Sequence, residues 1–189
     1  MLLISLLLAL RIASAPLPAG GRVSIVIPEG WRQLTTAEVE RMRGKVDPQN
    51  KVQQRIRDEN PPPSLIVIKH DTDQAIAASA QFIIGKVSPE MKHASAIEVA
   101  RVIGFVARAA YDGRYDVEPR EVQVAGFPAA EWVMRYSFVE TLGGKHDMRT
   151  RNVLIVRGDT TYLLGYSGPA SDTADFDAFD EVVRSLTFE

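Results

Sequence analysis

The chain has 189 residues, 46% of them hydrophobic and 24% charged, with a formal net charge of −2 and no cysteine. That balance belongs to one ordinary globular domain, long enough to bury a core without metals or crosslinks. It lacks the basic excess of a nucleic-acid binder, and without thiols it excludes disulfides, cysteine catalysis, thiolate metal sites and lipoprotein acylation.

Residues 2–10 are apolar apart from Ser5, a run much shorter than the roughly 20 residues of a membrane-spanning helix. Its length fits the apolar core of a secretory signal, and Ala13-Ser14-Ala15 has the small-residue cleavage pattern, although no lysine or arginine precedes the run. The expectation is a leader over 1–19, cut after Ala15 or nearer Ala19, and a single domain over 20–189. The protein is then periplasmic or extracellular, with no stable membrane span after cleavage.

Residues 22–27 alternate and are β-branched, which predicts a strand. Pro28-Glu29-Gly30 ends it, and Trp31 is expected to fold back onto the sheet. Thr35 and Glu38 form a capping box that opens a short helix bearing Val39 and Met42. Asp47-Pro48 starts a second helical segment over 49–59, which Asn60 and the three prolines after it stop. Strands follow over 64–70 and 80–85, separated by the polar turn Asp71-Thr72-Asp73.

Ser95 and Glu98 form another capping box, and the helix 95–111 is apolar nearly all round. Val99, Val102, Ile103, Val106 and Ala110 form its predicted inward stripe, so it is expected to be well buried across a sheet. A strand over 117–124 leads through Gly126-Phe127-Pro128 into three antiparallel strands. In the first, Trp132, Met134, Tyr136 and Phe138 alternate with Val133, Arg135 and Ser137. The second, 148–157, is apolar on both faces at 153–156, the mark of an interior strand. The third, 161–166, follows the tight turn Gly158-Asp159. Pro169 ends it, and a helix starting at Ser171 or Asp172 carries Phe176, Phe179, Val183 and Leu186 on one stripe. Short turns between consecutive strands imply antiparallel pairing, and the interleaved helices can cover both faces. The predicted class is α+β, a three-layer α-β-α sandwich around a mainly antiparallel sheet.

Several of these stretches carry a resemblance. The opening strand running into Ile27-Pro28-Glu29-Gly30-Trp31, the turn Gly126-Phe127-Pro128-Ala129-Ala130, the run from Gly158 to Tyr166, and the ending Ser185-Leu186-Thr187-Phe188 are similar to the PsbP-like superfamily. It includes the photosystem II extrinsic protein PsbP, Mog-type Ran-binding proteins and small exported bacterial relatives of unassigned role. The resemblance implies the α-β-α fold and a non-enzymatic binding or assembly role. No photosystem-docking or Ran-binding motif can be placed on this chain, so neither partner carries over.

The candidate binding residues are Arg135, Arg149, Arg151, Tyr136 and Tyr166. Arg149 and Arg151 share a strand face. Arg135 joins them if the Gly143-Gly144 hairpin has a three-residue loop, whereas a two-residue loop sets Arg151 opposite Tyr136. The Gly158-Asp159 turn sets Arg151 opposite Tyr166. Each register places guanidinium beside rings or other guanidinium, in outline an anion-binding surface; the competing reading is a strand end paired with local acids, such as those of the closing helix. His70 with Asp71 and Asp73, His93, and His146 with Asp147 lack metal-ligand spacing. Glu131 and Glu140 show no cleft for paired-carboxylate chemistry, and no nucleophile–base pair can be named. The expectation is therefore no cofactor, no metal, no catalysis and an unidentified protein partner. The alternative is a small-molecule or lipid binder with a pocket between helix 95–111 and the sheet.

Overall fold

The computed structural model describes residues 11–18, 20–43, 62–69, 77–139 and 144–189. The helix expected over 49–59, the turn from His70 to Asp73, and Glu140 lie outside them. In chain order the strands are β1 (Ile12–Pro16), β2 (Arg22–Val26), β3 (Trp31–Gln33), β4 (Leu65–Lys69) and β5 (Ser79–Lys86). The long strands β6 (Arg114–Val124), β7 (Phe127–Val139), β8 (Lys145–Arg157) and β9 (Thr160–Pro169) follow, and β10 (Thr187–Phe188) closes the chain. The helices are α1 (Thr36–Arg43), α2 (Ala96–Tyr111) and α3 (Thr173–Arg184).

Seven strands form one sheet in the order β3-β4-β5-β9-β8-β7-β6, and every pair in it is antiparallel. Tight two-residue turns join β6 to β7 and β8 to β9. Ala125 and Gly126 both have positive φ, 51° and 79°, the pattern of the two-residue turn that matches strand twist. Gly158, at φ 63°, begins the turn between β8 and β9. β8 therefore sits inside the sheet, as its doubly apolar run at 153–156 requires.

Alternation along the strands divides the core in two. Ala130, Trp132, Met134 and Leu154 point to one face, where Ala96, Val99 and Ala100 of α2 cover them. Val153, Ile155, Leu164 and Tyr166 point to the other, where Phe179 and Val182 of α3 meet them. A second, three-stranded sheet, β1-β2-β10, completes that layer and contributes Ala13, Ala15, Val23 and Ile25 to the same core. The α+β class and the antiparallel sheet are as expected from sequence. The small sheet is the addition: a helix as short as α3 cannot cover seven strands alone.

Two local readings are revised. The predicted inward stripe of α2 is rotated: Val99 is buried, but Val102 and Val106 are exposed, and Ala96, Ala100 and Gly104 pack inward instead. Small residues let the helix approach the sheet closely, and Gly104 lies directly over Tyr115. In addition, β1 occupies residues ahead of position 20, with Ala13 and Ala15 fully buried and paired to Ile25 and Val23. A cut after Ala15 or Ala19 would take this strand out of the small sheet.

Candidate functional site

Strands β7 and β8 pair so that Arg135 stands opposite Arg149, and Val133 opposite Arg151. This differs from both registers considered from sequence, yet it preserves the parity that puts all three arginines on one face. Arg151 stands opposite Tyr166, as the two-residue Gly158-Asp159 turn requires. The arginine face is the one that α3 covers.

Beneath α3 the charges are closed. Glu131 is 5% exposed, and its two oxygens are divided between two arginines. Arg151 Nε donates to Oε1 at 2.6 Å; Arg120 donates to Oε2 through Nη2 at 2.7 Å and Nε at 3.1 Å. Arg151 Nη1 also donates to Asp180 of α3 at 2.5 Å. Burial pushes the Glu131 carboxyl up, but the hydrogen bonds from Arg120 and Arg151 outweigh it and hold the group below the usual carboxylate range. Glu131 is thus a structural anion, fully spent.

One turn further out, Arg149 lies over the Phe176 ring at 3.7 Å. Asp116 Oδ2 is 3.3 Å from its Nε but off the N–H direction, so the buried Nε has an opposite charge and, among the described residues, no hydrogen-bond partner. Asp116 instead accepts from Arg135 Nε at 2.6 Å. Tyr166 is buried edge-on against Phe176 and tilted against Phe179, its hydroxyl without a partner among the described residues. Burial, with Asp172 and Asp175 nearby, pushes that phenol far above its usual range. Arg149, Arg151 and Tyr166 therefore hold α3 to the sheet. Lys69 does the same at the helix start, donating to buried Asp175 at 2.8 Å beside the capping residue Asp172.

Beyond Phe176 the strand pair runs out from under α3, and an open cleft of about 790 Å³ begins. Arg135 and Tyr136 of the five expected binding residues line it. The others are Asp112 at the end of α2, Arg114 at the start of β6, Ser137, residues 145–147 at the start of β8, and Pro169, Ala170 and Ser171 after β9. Tyr136 is held in place by the Tyr111 ring at 5.2 Å and by Ser167, 3.3 Å from its hydroxyl. Asp147 accepts from Ser137 at 3.0 Å. Among the described residues, Arg114 and Lys145 have no acidic partner, and Arg135 engages Asp116 through Nε alone. The cleft is a polar hollow at the end of the sheet, lined by Arg114, Arg135 and Lys145 together with the carboxylates of Asp112 and Asp147.

Sequence reasoning passed over Arg114 and Lys145. Their signal was positional: each opens a strand directly after a glycine, Arg114 after Gly113 and Lys145 after Gly144. Strand ends at one edge of a meander gather in space. The space between α2 and the sheet, where a pocket was considered, is filled by Val99, Ala100, Trp132, Met134 and Leu154. Among the described residues, no group of three or more His, Cys, Asp or Glu side chains is placed to hold a metal. Among the same residues, no helix is long and apolar enough to cross a membrane.

The backbone has clear counterparts among solved structures. CyanoP, the PsbP of the cyanobacterium Synechocystis, superposes with a TM-score of 0.54 at 11% identity, over 95% of this chain and 93% of that one. LpqN of Mycobacterium tuberculosis, a protein involved in cell envelope biogenesis, superposes at 0.53 and 14%, over 94% and 91%. The Ran-binding protein Mog1p of Saccharomyces cerevisiae gives 0.50 and 13%, over 94% and 95%. The chain has the PsbP/Mog-like fold. No family model and no curated protein sequence matches it, so the likeness is one of backbone.

Proposed function

We propose that this chain is a non-catalytic binding domain, of an accessory or assembly kind, that holds an acidic segment of a protein partner in the cleft at the end of its sheet. The observation that carries this is the pair Arg114 and Lys145. They are cations on the rim of a cleft of about 790 Å³, with no acid of their own among the described residues, beside the half-engaged guanidinium of Arg135. Unspent positive charge steers and orients an anionic partner more than it adds raw affinity. Proteins of the same fold supply the precedent for the class of role: one binds Ran and another takes part in cell envelope biogenesis.

We further place the domain outside the cytoplasm. The apolar run over 2–10 has the length of a signal core, and a cut ahead of Arg11 would leave β1 in the small sheet. A second reading, a small polar ligand with carboxylate groups, rests on the same cleft, whose volume lies within the range of small-molecule sites.

The test is photo-crosslinking from position 171 on the cleft rim, in cells that make the protein, compared with Arg114→Glu/Lys145→Glu. A crosslinked protein partner that disappears in the reversed variant, and whose capture weakens with salt, supports the proposal. Capture that survives the double reversal overturns it. A retained small acid in native mass spectra, without any crosslinked protein, moves the reading to the small ligand.

A further inference from the structure

Helix α2 presents a face that none of the described residues covers. Phe105 is 70% exposed and Val102 and Val106 are each 48% exposed. They fall within about 100° of the helix circumference, a continuous apolar stripe. Arg101 and Arg108, seven residues apart and both exposed, lie along one long border of that stripe. Glu98 is tied into the capping box with Ser95, and no acidic residue follows it until Asp112. The helix contains no serine, threonine, asparagine or glutamine. Past its first turn, where the exposed Glu98 lies beside Arg101, the outward face is apolar along the stripe and cationic along one border, with Arg108 4.9 Å from the Tyr115 ring.

The arrangement discriminates between occupants. A second copy packed antiparallel about the patch would bring like border against like border, setting Arg101 beside the other copy's Arg108, which like-charge repulsion opposes. A protein groove needs a polar rim that exchanges hydrogen bonds, and past the Glu98 turn this face offers only guanidinium donors. The inner side of α2 is also committed to Trp132, Met134 and Leu154, so a partner cannot enclose the helix. A helix lying flat, with an aromatic at its crest and arginines along one edge, suits the boundary between lipid headgroups and acyl chains.

We propose that α2 is a peripheral membrane-docking element that seats Val102, Phe105 and Val106 in the interface of an anionic lipid surface, with Arg101 and Arg108 on the headgroup phosphates. This goes beyond the cleft reading and is independent of it. The cleft opens past the C-terminal end of α2, at Asp112, and stays accessible in such a pose.

The chain has no cysteine, so a single Val102→Cys carries a nitroxide label at one site. Asp177→Cys on α3 is the control. The readout is label immersion on vesicles of phosphatidylcholine with 30% phosphatidylglycerol, compared with phosphatidylcholine alone. It reports on α2 even where the apolar residues 2–10 also adhere to lipid. The expected result is immersion of the label at 102, but not at 177, on anionic vesicles only. Arg101→Gln/Arg108→Gln should weaken it about tenfold to thirtyfold, the worth of two arginines near an anionic surface. A label at 102 that stays aqueous on both vesicles overturns the proposal, as does equal immersion on neutral lipid. So does label–label broadening in solution, which would assign the face to a second copy, or shielding by an acidic protein without any response to vesicles.

Discussion

Replacing Glu131 by alanine removes the anion that two arginines share beneath α3. Glu131 is 5% exposed, and Arg151, with 16% of its side chain exposed, would keep only Asp180, itself 49% exposed. Breaking a buried pair by deleting one partner costs about 3–5 kcal/mol. Arg120 has 63% of its side chain in solvent and can rehydrate, so the lower end of that range applies, about 3 kcal/mol. Glu131→Gln keeps the shape and one acceptor but not the charge, and should cost about 1–2 kcal/mol. Arg120→Ala should cost about 1 kcal/mol or less, as an exposed cation does. Adding Arg151→Met to Glu131→Leu should recover part of the loss of Glu131→Leu alone, because the charges then left without a partner, Arg120 and Asp180, are solvent-exposed. Urea unfolding at constant slope reads all of these. Glu131→Ala within about 0.5 kcal/mol of the parent would refute the reasoning; so would a double variant no better than Glu131→Leu. The pH dependence has a definite sign. The folded-state pKa of Glu131 is depressed, so its stabilisation is fully present above the unfolded value near 4.3 and is lost as pH falls through the lower folded value. The parent should therefore lose its advantage over Glu131→Gln on acidification below about pH 4.

Three further outcomes follow from the same geometry. Ala125 holds a positive φ of 51° that alanine disfavours, so Ala125→Asn should stabilise by about 0.5–1 kcal/mol in thermal or urea unfolding. A chain beginning at Gly20 should be about 2–4 kcal/mol less stable than one beginning at Arg11, since it loses two buried methyl groups and the β1 ladder; equal urea midpoints would remove β1 from the core. Glu38 takes hydrogen bonds from Arg32 and from Thr35, which lower its pKa to about 2. An NMR titration should find it there, and Arg32→Ala should move it back toward the ordinary carboxylate range.

What was legible in the chain was whatever the local pattern determines. Period-two alternation around Trp132 placed the face that meets α2. The doubly apolar run at 153–156 placed β8 inside the sheet, and the capping pairs Thr35/Glu38 and Ser95/Glu98 form as read. Register was not legible, because it depends on a hairpin loop whose length its glycines leave open. A shift of two residues keeps every side chain on its face and changes every cross-strand partner. That is why Arg149 met Arg135 here. The rotation of α2 was hidden for a related reason: valine, isoleucine and phenylalanine on several sides of the helix offer more than one apolar stripe, and small residues at Ala96, Ala100 and Gly104 decided which side approached the sheet. β1 was missed because an apolar N-terminus with small residues reads equally as a leader and as an edge strand.

The arginines illustrate why type and spacing alone could not locate the site. Arg151, Arg149 and Arg135 lie on one face of one strand pair, yet their surroundings grade from closed to open within two residues of each other. Arg151 is sealed by Glu131 and Asp180, and Arg149 is roofed by Phe176 with half a partner in Asp116. Arg135 reaches the cleft with its Nη atoms uncommitted among the described residues. The boundary is set by where α3 stops covering the sheet, and that is set by Asp172, whose carboxylate caps the helix and fixes its first turn. A guanidinium inside this boundary stabilises the fold, and one outside it remains available to a partner. The same side chain chemistry thus serves packing or recognition according to the residue at which a neighbouring helix begins.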